Sequence, residues 1–365
     1  MINQLVIENL KHRPVRTCLS VLAIGISVTL VLTIVGLSHG MLEDNARRAR
    51  GIGADLWIRP GGMQLGTGGG SAPFNEKLVP ALEKFEHVAL ATGTAIYPLQ
   101  FPQSIQGIDF EKFDRLTGGV RFVEGRVFRA PDDIVVDSEY AAERKLKVGS
   151  KIKLVEREWT VCGIIEPGKL SRIFLPIQVV QEFTGNTGKV SQIFLKVDDE
   201  RNIAAVKAKL KETFPEYGIL TLEEIVSLYS VDAIAPIKIF IRVIVGIAVV
   251  IGFVFVFLSM YTAVLERTRE IGILKALGAS PAYIMAILMR ESALLALAGS
   301  LLGIAFSYGT REIFRILIPA SMQQKIMPDW WPIAAAIALG GAFLGTLYPS
   351  YRAAKQDAIE ALAYD

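Results

Sequence analysis

The sequence predicts a membrane α-helical protein with four transmembrane helices and a large mixed α/β extracytoplasmic domain inserted between the first and second. Three observations carry this expectation. The 365 residues are 52% hydrophobic and only 21% charged, greasier than a typical water-soluble chain. Four apolar runs are long enough for the ~20-residue helix that a bilayer core requires. The charge pattern is the third. Leu42 to Arg242 holds 27 basic and 27 acidic residues, so the whole excess of +3 flanks the greasy runs, with twelve basic residues there against nine acidic. Nucleic-acid binders concentrate basic charge on one domain instead, so nucleic acid is not an expected partner.

Each element follows in order. Lys11, Arg13 and Arg16 lie in residues 1–16, ahead of the first span at 17–41, which contains no Asp, Glu, Lys or Arg. That run is too long for a signal-peptide core, and Leu37-Ser38-His39-Gly40 offers no A-x-A cleavage pattern, so it reads as a retained anchor. Residues 42–235 form the inserted domain. Asp55 to Arg59 predicts a strand entering a turn at Pro60-Gly61-Gly62. Gly66 to Ser71 is a glycine-rich loop that lacks the G-x-x-x-x-G-K-[ST] spacing of a phosphate cradle. Lys151 to Val155 and Trp159 to Ile165 predict paired strands around a charged turn, Glu156 to Glu158. Ile203, Val206, Leu210 and Phe214 recur at helical spacing, with Lys207, Lys209 and Lys211 outward.

The second span is expected at 236–265, a polar segment at 266–281, the third span at 282–310, a short loop at 311–328, the fourth span at 329–351 and a tail at 352–365. Short segments decide orientation, because long loops translocate largely regardless of charge. Lys11, Arg13, Arg16, Arg267, Arg269, Lys275, Arg352 and Lys355 fall on one side and only Arg311, Arg315 and Lys325 on the other. Eight against three puts both termini inside and the large domain outside. Arg47, Arg48 and Arg50, just past the first span, work against this count without reversing it.

No catalytic constellation stands out. His12, His39 and His87 are widely separated, with no metal-ligand spacing, and there is no G-x-S-x-G or H-E-x-x-H pattern. Cys18 lies in an apolar run and Cys162 in a strand-like segment, so no bridge between them is expected. The third span is interrupted by Arg290 and Glu291. Glu291 sits ten residues past Pro281, about 15 Å along a helix and near the middle of a ~30 Å core. An intramembrane carboxylate there should face other helices and find a partner. Arg290 projects about 100° away. The alternative is a helix that begins later and leaves the pair near the headgroups.

The segment Glu266-Arg-Thr-Arg-Glu-Ile-Gly-Ile-Leu-Lys-Ala-Leu-Gly-Ala-Ser-Pro281 is the most informative. It predicts a short amphipathic helix on the membrane face, with Ile271, Leu274 and Leu277 on one side and Arg267, Arg269, Glu270 and Lys275 available to a partner. Gly278 suits a C-terminal stop, and Ser280 with Pro281 an N-cap and first turn.

This segment resembles the coupling segment of FtsX-like and MacB-like ABC transporter permeases, roughly E-R-x-R-E-I-G-x-x-x-A-x-G-A. Glu266, Arg267, Arg269, Glu270, Ile271, Gly272, Ala276, Gly278 and Ala279 match. Asn9-Leu10 with Lys11 to Arg16 is similar to the family's amphipathic entry. Val148 to Ile152 and Val161 to Ile165 resemble its extracytoplasmic domain, and Pro349 to Leu362 its closing pattern, with Ala358 where proline is frequent. Lipoprotein-releasing and DevC-type permeases are similar too.

The resemblance implies a homodimeric permease in the bacterial inner membrane that docks a partner ATPase through Glu266, Arg267, Arg269, Glu270, Ile271, Gly272, Lys275 and Gly278, with Arg290 and Glu291 as intramembrane polar residues. This chain would bind no cofactor, and ATP and Mg would reside on the ATPase. A periplasmic adaptor and membrane lipids are further partners the resemblance allows. The implied function is export or extraction of a hydrophobic or amphipathic substrate by transmitting ATPase motion to the outer domain. A transmembrane mechanical transducer regulating an extracytoplasmic cell-wall hydrolase is the alternative. An intramembrane enzyme would have only Arg290 and Glu291 to use.

Overall fold

The computed structural model describes residues 2–61, 73–99, 103–231, 233–317 and 323–355. Gly66 to Ser71 and the tail beyond Lys355, including Ala358, lie outside them. In chain order the elements are α1 (Ile2–His12), α2 (Pro14–Arg50), β1 (Leu56–Pro60), β2 (Phe74–Asn75), α3 (Leu78–Leu82), β3 (Val88–Pro98), β4 (Ser104–Ile108) and α4 (Phe110–Leu116). There follow β5 (Phe122–Gly125), β6 (Asp133–Asp137), α5 (Ser138–Arg144), β7 (Lys151–Leu154), β8 (Arg157–Ile165), β9 (Ile173–Pro176), α6 (Ile177–Phe183), β10 (Lys189–Val190) and β11 (Gln192–Val197). The chain continues with α7 (Ile203–Thr213), β12 (Tyr217–Thr221), α8 (Leu222–Leu228), α9 (Ala235–Glu266), α10 (Thr268–Ala276), α11 (Pro281–Leu317) and α12 (Trp330–Lys355).

These elements form two compact units. The helical unit comprises residues 1–39, 235–317 and 324–365, and the sheet unit residues 40–234 and 318–323. Four helices, α2, α9, α11 and α12, are long and apolar enough to cross a membrane. Pro14 opens α2 because a first-turn proline needs no N–H partner and already has helical φ. The helix then runs nine residues past Met41, so Arg47, Arg48 and Arg50 stand on its last turns rather than in a loop.

Glycine spacing lets the bundle close. On α11, a Cβ at Gly299 would come within 2.7 Å of Ile24, and one at Gly303 within 2.7 Å of Val28 and of the Gly25 carbonyl, both on α2. On α12, a Cβ at Gly345 would lie 2.9 Å from the Phe253 carbonyl of α9. Both stripes are small-x-x-x-small sequences, Gly299/Gly303 and Gly341/Gly345, which permit close backbone approach where water supplies no hydrophobic drive between helices. Thr29 Oγ1 adds a 3.2 Å hydrogen bond to the Gly303 carbonyl, and the Ser20 and Ser259 hydroxyls lie 2.7 Å apart.

In the sheet unit ten strands form one mixed sheet, in the order β12-β1-β11-β3-β4-β9-β6-β8-β5, with β7 paired to β8. The pairs β4–β9 and β6–β8 are parallel and the others antiparallel. The long strand β3 holds the sheet together: Val88 to Thr94 pair with β11, and Ala95 to Pro98 with β4. The β7–β8 hairpin turns at Val155 and Glu156, both with positive φ, while Arg157 and Glu158 enter β8. Two consecutive positive-φ residues make the tight turn whose twist matches flanking strands, so the turn lies one residue earlier than Glu156 to Glu158 and is shorter. Val206 and Leu210 of α7 are buried, as their spacing requires.

Candidate functional site

The polar segment after α9 folds as α10 and is bounded by two local signals. At its end Gly278 takes φ +91°, the Gly278 N–H donates to Lys275 O and the Ala279 N–H donates to Leu274 O. That pair of bonds satisfies the last carbonyls, and only glycine holds the left-handed position without strain. Ser280 Oγ then accepts from the Tyr283 N–H at 3.2 Å and caps α11 before Pro281. Lys275 Nζ donates to the Ala354 carbonyl of α12 at 2.8 Å, so α10 is tied to a second helix.

The charged residues of this segment divide. Arg269 and Glu270 are exposed and form no ion pair among the described residues, whereas Arg267 is buried. The expectation that Arg267 would be available to a partner therefore fails. Its guanidinium enters the bundle because Glu291 lies there: Arg267 Nη1 donates to Glu291 Oε2 at 3.2 Å, and Nη2 donates to the Asn9 carbonyl of α1 at 3.0 Å. Arg16 Nη2 of α2 donates to the other oxygen, Glu291 Oε1, at 3.4 Å. Arg13 and Arg16 both pair with Glu266. Glu291 is fully buried. One carboxylate thus joins α2, the start of α10 and α11, and through Arg267 it also reaches α1.

Arg290 is exposed while Glu291 is buried, so the adjacent pair does not share a site. Ile271 and Gly272 are buried against the bundle, but Leu277 is 81% exposed. The helix ends at Ala276, so Leu277 leaves the apolar face that a continued 3.6-residue period would have given it. Among the described residues no group of three His, Cys, Asp or Glu side chains is placed to hold a metal ion, and both cysteines are free.

Sequence reasoning missed two features. Arg16 was read only as a flanking charge, and nothing local links it to Glu291 across 275 positions. The second feature is a cluster within the sheet unit. Arg172 Nη2 donates to Asp44 Oδ2 at 3.1 Å, Nη1 donates to Glu139 Oε2 at 2.6 Å and to Asp137 Oδ2 at 3.3 Å, and Arg48 bonds both Asp44 and Asp137. The i, i+4 spacing of Asp44 and Arg48 was visible in the sequence, but the distant partners were not.

Two family matches cover most of the chain: MacB-like periplasmic core domain over residues 17–213, and FtsX-like permease C-terminal over residues 242–358. An ABC transporter permease of Methanocaldococcus jannaschii is 30% identical over 235 residues, which are 60% of this chain and 58% of that protein. The permease YknZ of Bacillus subtilis is 25% identical over 391 residues, covering 97% of this chain and 96% of its own length. The macrolide export ATP-binding/permease protein MacB of Acinetobacter baylyi is 23% identical over 408 residues, 99% of this chain and 59% of that protein. The chain thus spans under two thirds of the methanogen and Acinetobacter proteins and nearly all of YknZ. With a core-domain match over more than half its length and a permease match over most of the rest, the chain belongs to the MacB-like, FtsX-like family of ABC transporter permeases.

Proposed function

We propose that this permease works with a separate ATPase subunit and a second copy of itself to export or extract a hydrophobic or amphipathic substrate. ATP and Mg would be held by the ATPase, both termini and α10 would face the cytoplasm, and the sheet unit would lie outside the cell membrane. The observation that carries this reading is the division of charge on α10. Arg267 is committed to Glu291 inside the bundle, which fixes the helix, while Arg269 and Glu270 remain exposed on it. A rigid helix that presents one cation and one anion suits an orientation-specific, charge-assisted interface.

Reversing both charges together (Arg269→Glu with Glu270→Arg) keeps the net charge and the bundle contacts. The variant should insert normally but bind the ATPase roughly 10–100-fold more weakly, the loss expected for one or two charge-assisted contacts. Unchanged ATPase affinity and coupled activity would sink the assignment. Orientation has its own test. In a background lacking Cys18 and Cys162, an impermeant thiol reagent applied to intact cells should label Thr187→Cys and spare Ser280→Cys, and the reverse pattern refutes the topology.

A further inference from the structure

A second site lies within the helical unit, at the basic end of α12. Trp330 and Trp331 open this helix, and Tyr348 and Tyr351 stand near its close. Trp331 and Tyr351 are separated by about 30 Å along the helix, the thickness of a hydrocarbon core. Aromatic residues favour both membrane–water boundaries, so Tyr351 marks the level where lipid head groups begin, and Arg352 and Lys355 stand among them.

The outward face of α12 is one continuous stripe. Leu344, Leu347, Tyr348 and Tyr351 are all exposed, and their spacing of three and four residues continues to Lys355. The adjoining wall is α9, where Phe253, Phe257 and Tyr261 stack along the helix and Phe257 lies 6.1 Å from Tyr348. Arg352 Nη1 donates to Tyr261 Oη and its guanidinium lies 5.4 Å from that ring, while Lys355 Nζ lies 4.8 Å from the Tyr351 ring. These contacts orient two cations without neutralising them. Neither has an ion pair among the described residues, and the guanidinium keeps four N–H donors after its bond to Tyr261.

Nearby carboxylates do not compensate the pair. Residues 1–16, 266–291 and 352–355 meet at this end of the bundle and hold nine Lys and Arg against four Glu. Glu266 is paired with Arg13 and Arg16, Glu291 with Arg16 and Arg267, and Glu8 with Lys11. Glu270 faces a pocket lined by α1, α9, α10 and α11, away from α12. Adding the three carboxylates of residues 356–365 still leaves nine cations against seven anions.

We propose that the α9–α12 face binds an anionic phospholipid, with one acyl chain along Leu344, Leu347 and Tyr348 and the phosphodiester between Arg352 and Lys355. A second copy docked here about a two-fold axis would bring its own Arg352 and Lys355 to the same face, whereas an anionic lipid supplies the missing charge. The inference rests on the spans alone, and neither the transport reading nor the side on which the termini lie enters it.

The test uses the full chain in phosphatidylcholine nanodiscs, in a background lacking Cys18 and Cys162, with bimane attached at Leu344→Cys. That position lies about 12 Å along the helix from Arg352, at acyl-chain depth. Dibrominated phosphatidylglycerol or dibrominated phosphatidylcholine is added in steps and quenching is read. Phosphatidylglycerol should reach half-maximal quenching at a mole fraction about fivefold lower or better, the effect of one or two interfacial cations. At Leu301→Cys, on the exposed face of α11, the two lipids should quench alike. Arg352→Gln with Lys355→Gln should remove the preference, and Arg352→Lys, which keeps the charge, should retain it. Equal quenching by the two lipids at position 344, the same preference at position 301, or a preference that survives the double variant would each overturn the site. Quenching by neither lipid would show that protein covers this face, a second copy or the tail, and would overturn it as well.

Discussion

In the bundle, Arg16 and Arg267 share a single buried carboxylate, Glu291, whereas in the sheet unit Arg48 and Arg172 share two, Asp44 and Asp137, with Glu139 as a third. Each cluster takes residues from α2, Arg16 near its start and Asp44 and Arg48 near its end. The sheet cluster is balanced, since Arg47 also bonds Asp44, giving three cations against three anions. Among the described residues it leaves Arg48 Nη2 and Arg172 Nε without hydrogen-bond partners, beside a polar pocket of about 60 Å³. Among the described residues the bundle cluster has no second carboxylate at its buried end. Burial raises the cost of an unpaired charge in both places. What separates the clusters is whether the remaining groups can shed charge when the hub is removed.

The largest effect is expected at Glu291. Glu291→Leu leaves two guanidiniums that cannot lose a proton, so it should cost about 3–5 kcal/mol, the range for breaking a buried pair. The loss is read by unfolding in nanodiscs. Glu291→Gln keeps an acceptor for one arginine and should assemble, with altered ATP-driven activity. Wild-type stability of the leucine variant would mean that Arg16 and Arg267 find water, and the comparison between the clusters would break.

At neutral pH Arg172→Met should cost a similar or slightly smaller amount, about 3 kcal/mol, because it too removes a hub. Here the remaining charge has an exit. Burial already pushes Asp137 above the usual carboxylate range, although Arg172 and Arg48 pull it down. A raised folded-state pKa gives stability that is fully present below the unfolded value and is lost as pH rises through the folded value. Without Arg172 that folded value rises further, so the deficit should be largest at pH 7–8 and shrink toward pH 5. Denaturant midpoints across that range are the measurement. A pH-independent deficit would show that Asp137 does not take up the proton.

The same contrast shows what could be read from the sequence. Four spans were legible because a bilayer fixes a minimum apolar length, and the helical stop at Gly278 and cap at Ser280 were legible because those signals are local. Glu291 stood out as an ionisable group in an apolar run, but its partners are set by which helices meet, and that depends on side-chain packing. Arg267 was misassigned for the same reason: in a polar segment a charge reads as solvated until a buried carboxylate is found behind it. The glycine pairs Gly299/Gly303 and Gly341/Gly345 carried a spacing signal that predicts close helix approach and was not used. The sheet order was not legible, since β3 divides its pairing between two strands at a register that no local pattern announces.

The smallest effect is expected at a part-exposed pair, which sharpens the comparison by reducing burial. Lys207 of α7 bonds Glu224 at the start of α8, and Glu224 also accepts the Thr221 N–H while Thr221 Oγ1 accepts the Glu224 N–H. The Lys207 ammonium first, and the Thr221 backbone next, hold Glu224 below the usual carboxylate range. A depressed pKa gives stability that is present above the unfolded value, 4.5, and lost as pH falls through the folded one. Glu224→Gln keeps the reciprocal cap, because glutamine serves at that position, and removes only the ion pair. The Glu224 side chain is 46% exposed, so solvent screens the pair and the loss should stay under ~1 kcal/mol. It should shrink in high salt and diminish as pH falls below 4.5 and the native Glu224 takes up a proton. A salt-insensitive loss as large as that of Arg172→Met would mean that contact geometry, rather than removal from water, sets the strength of these ion pairs.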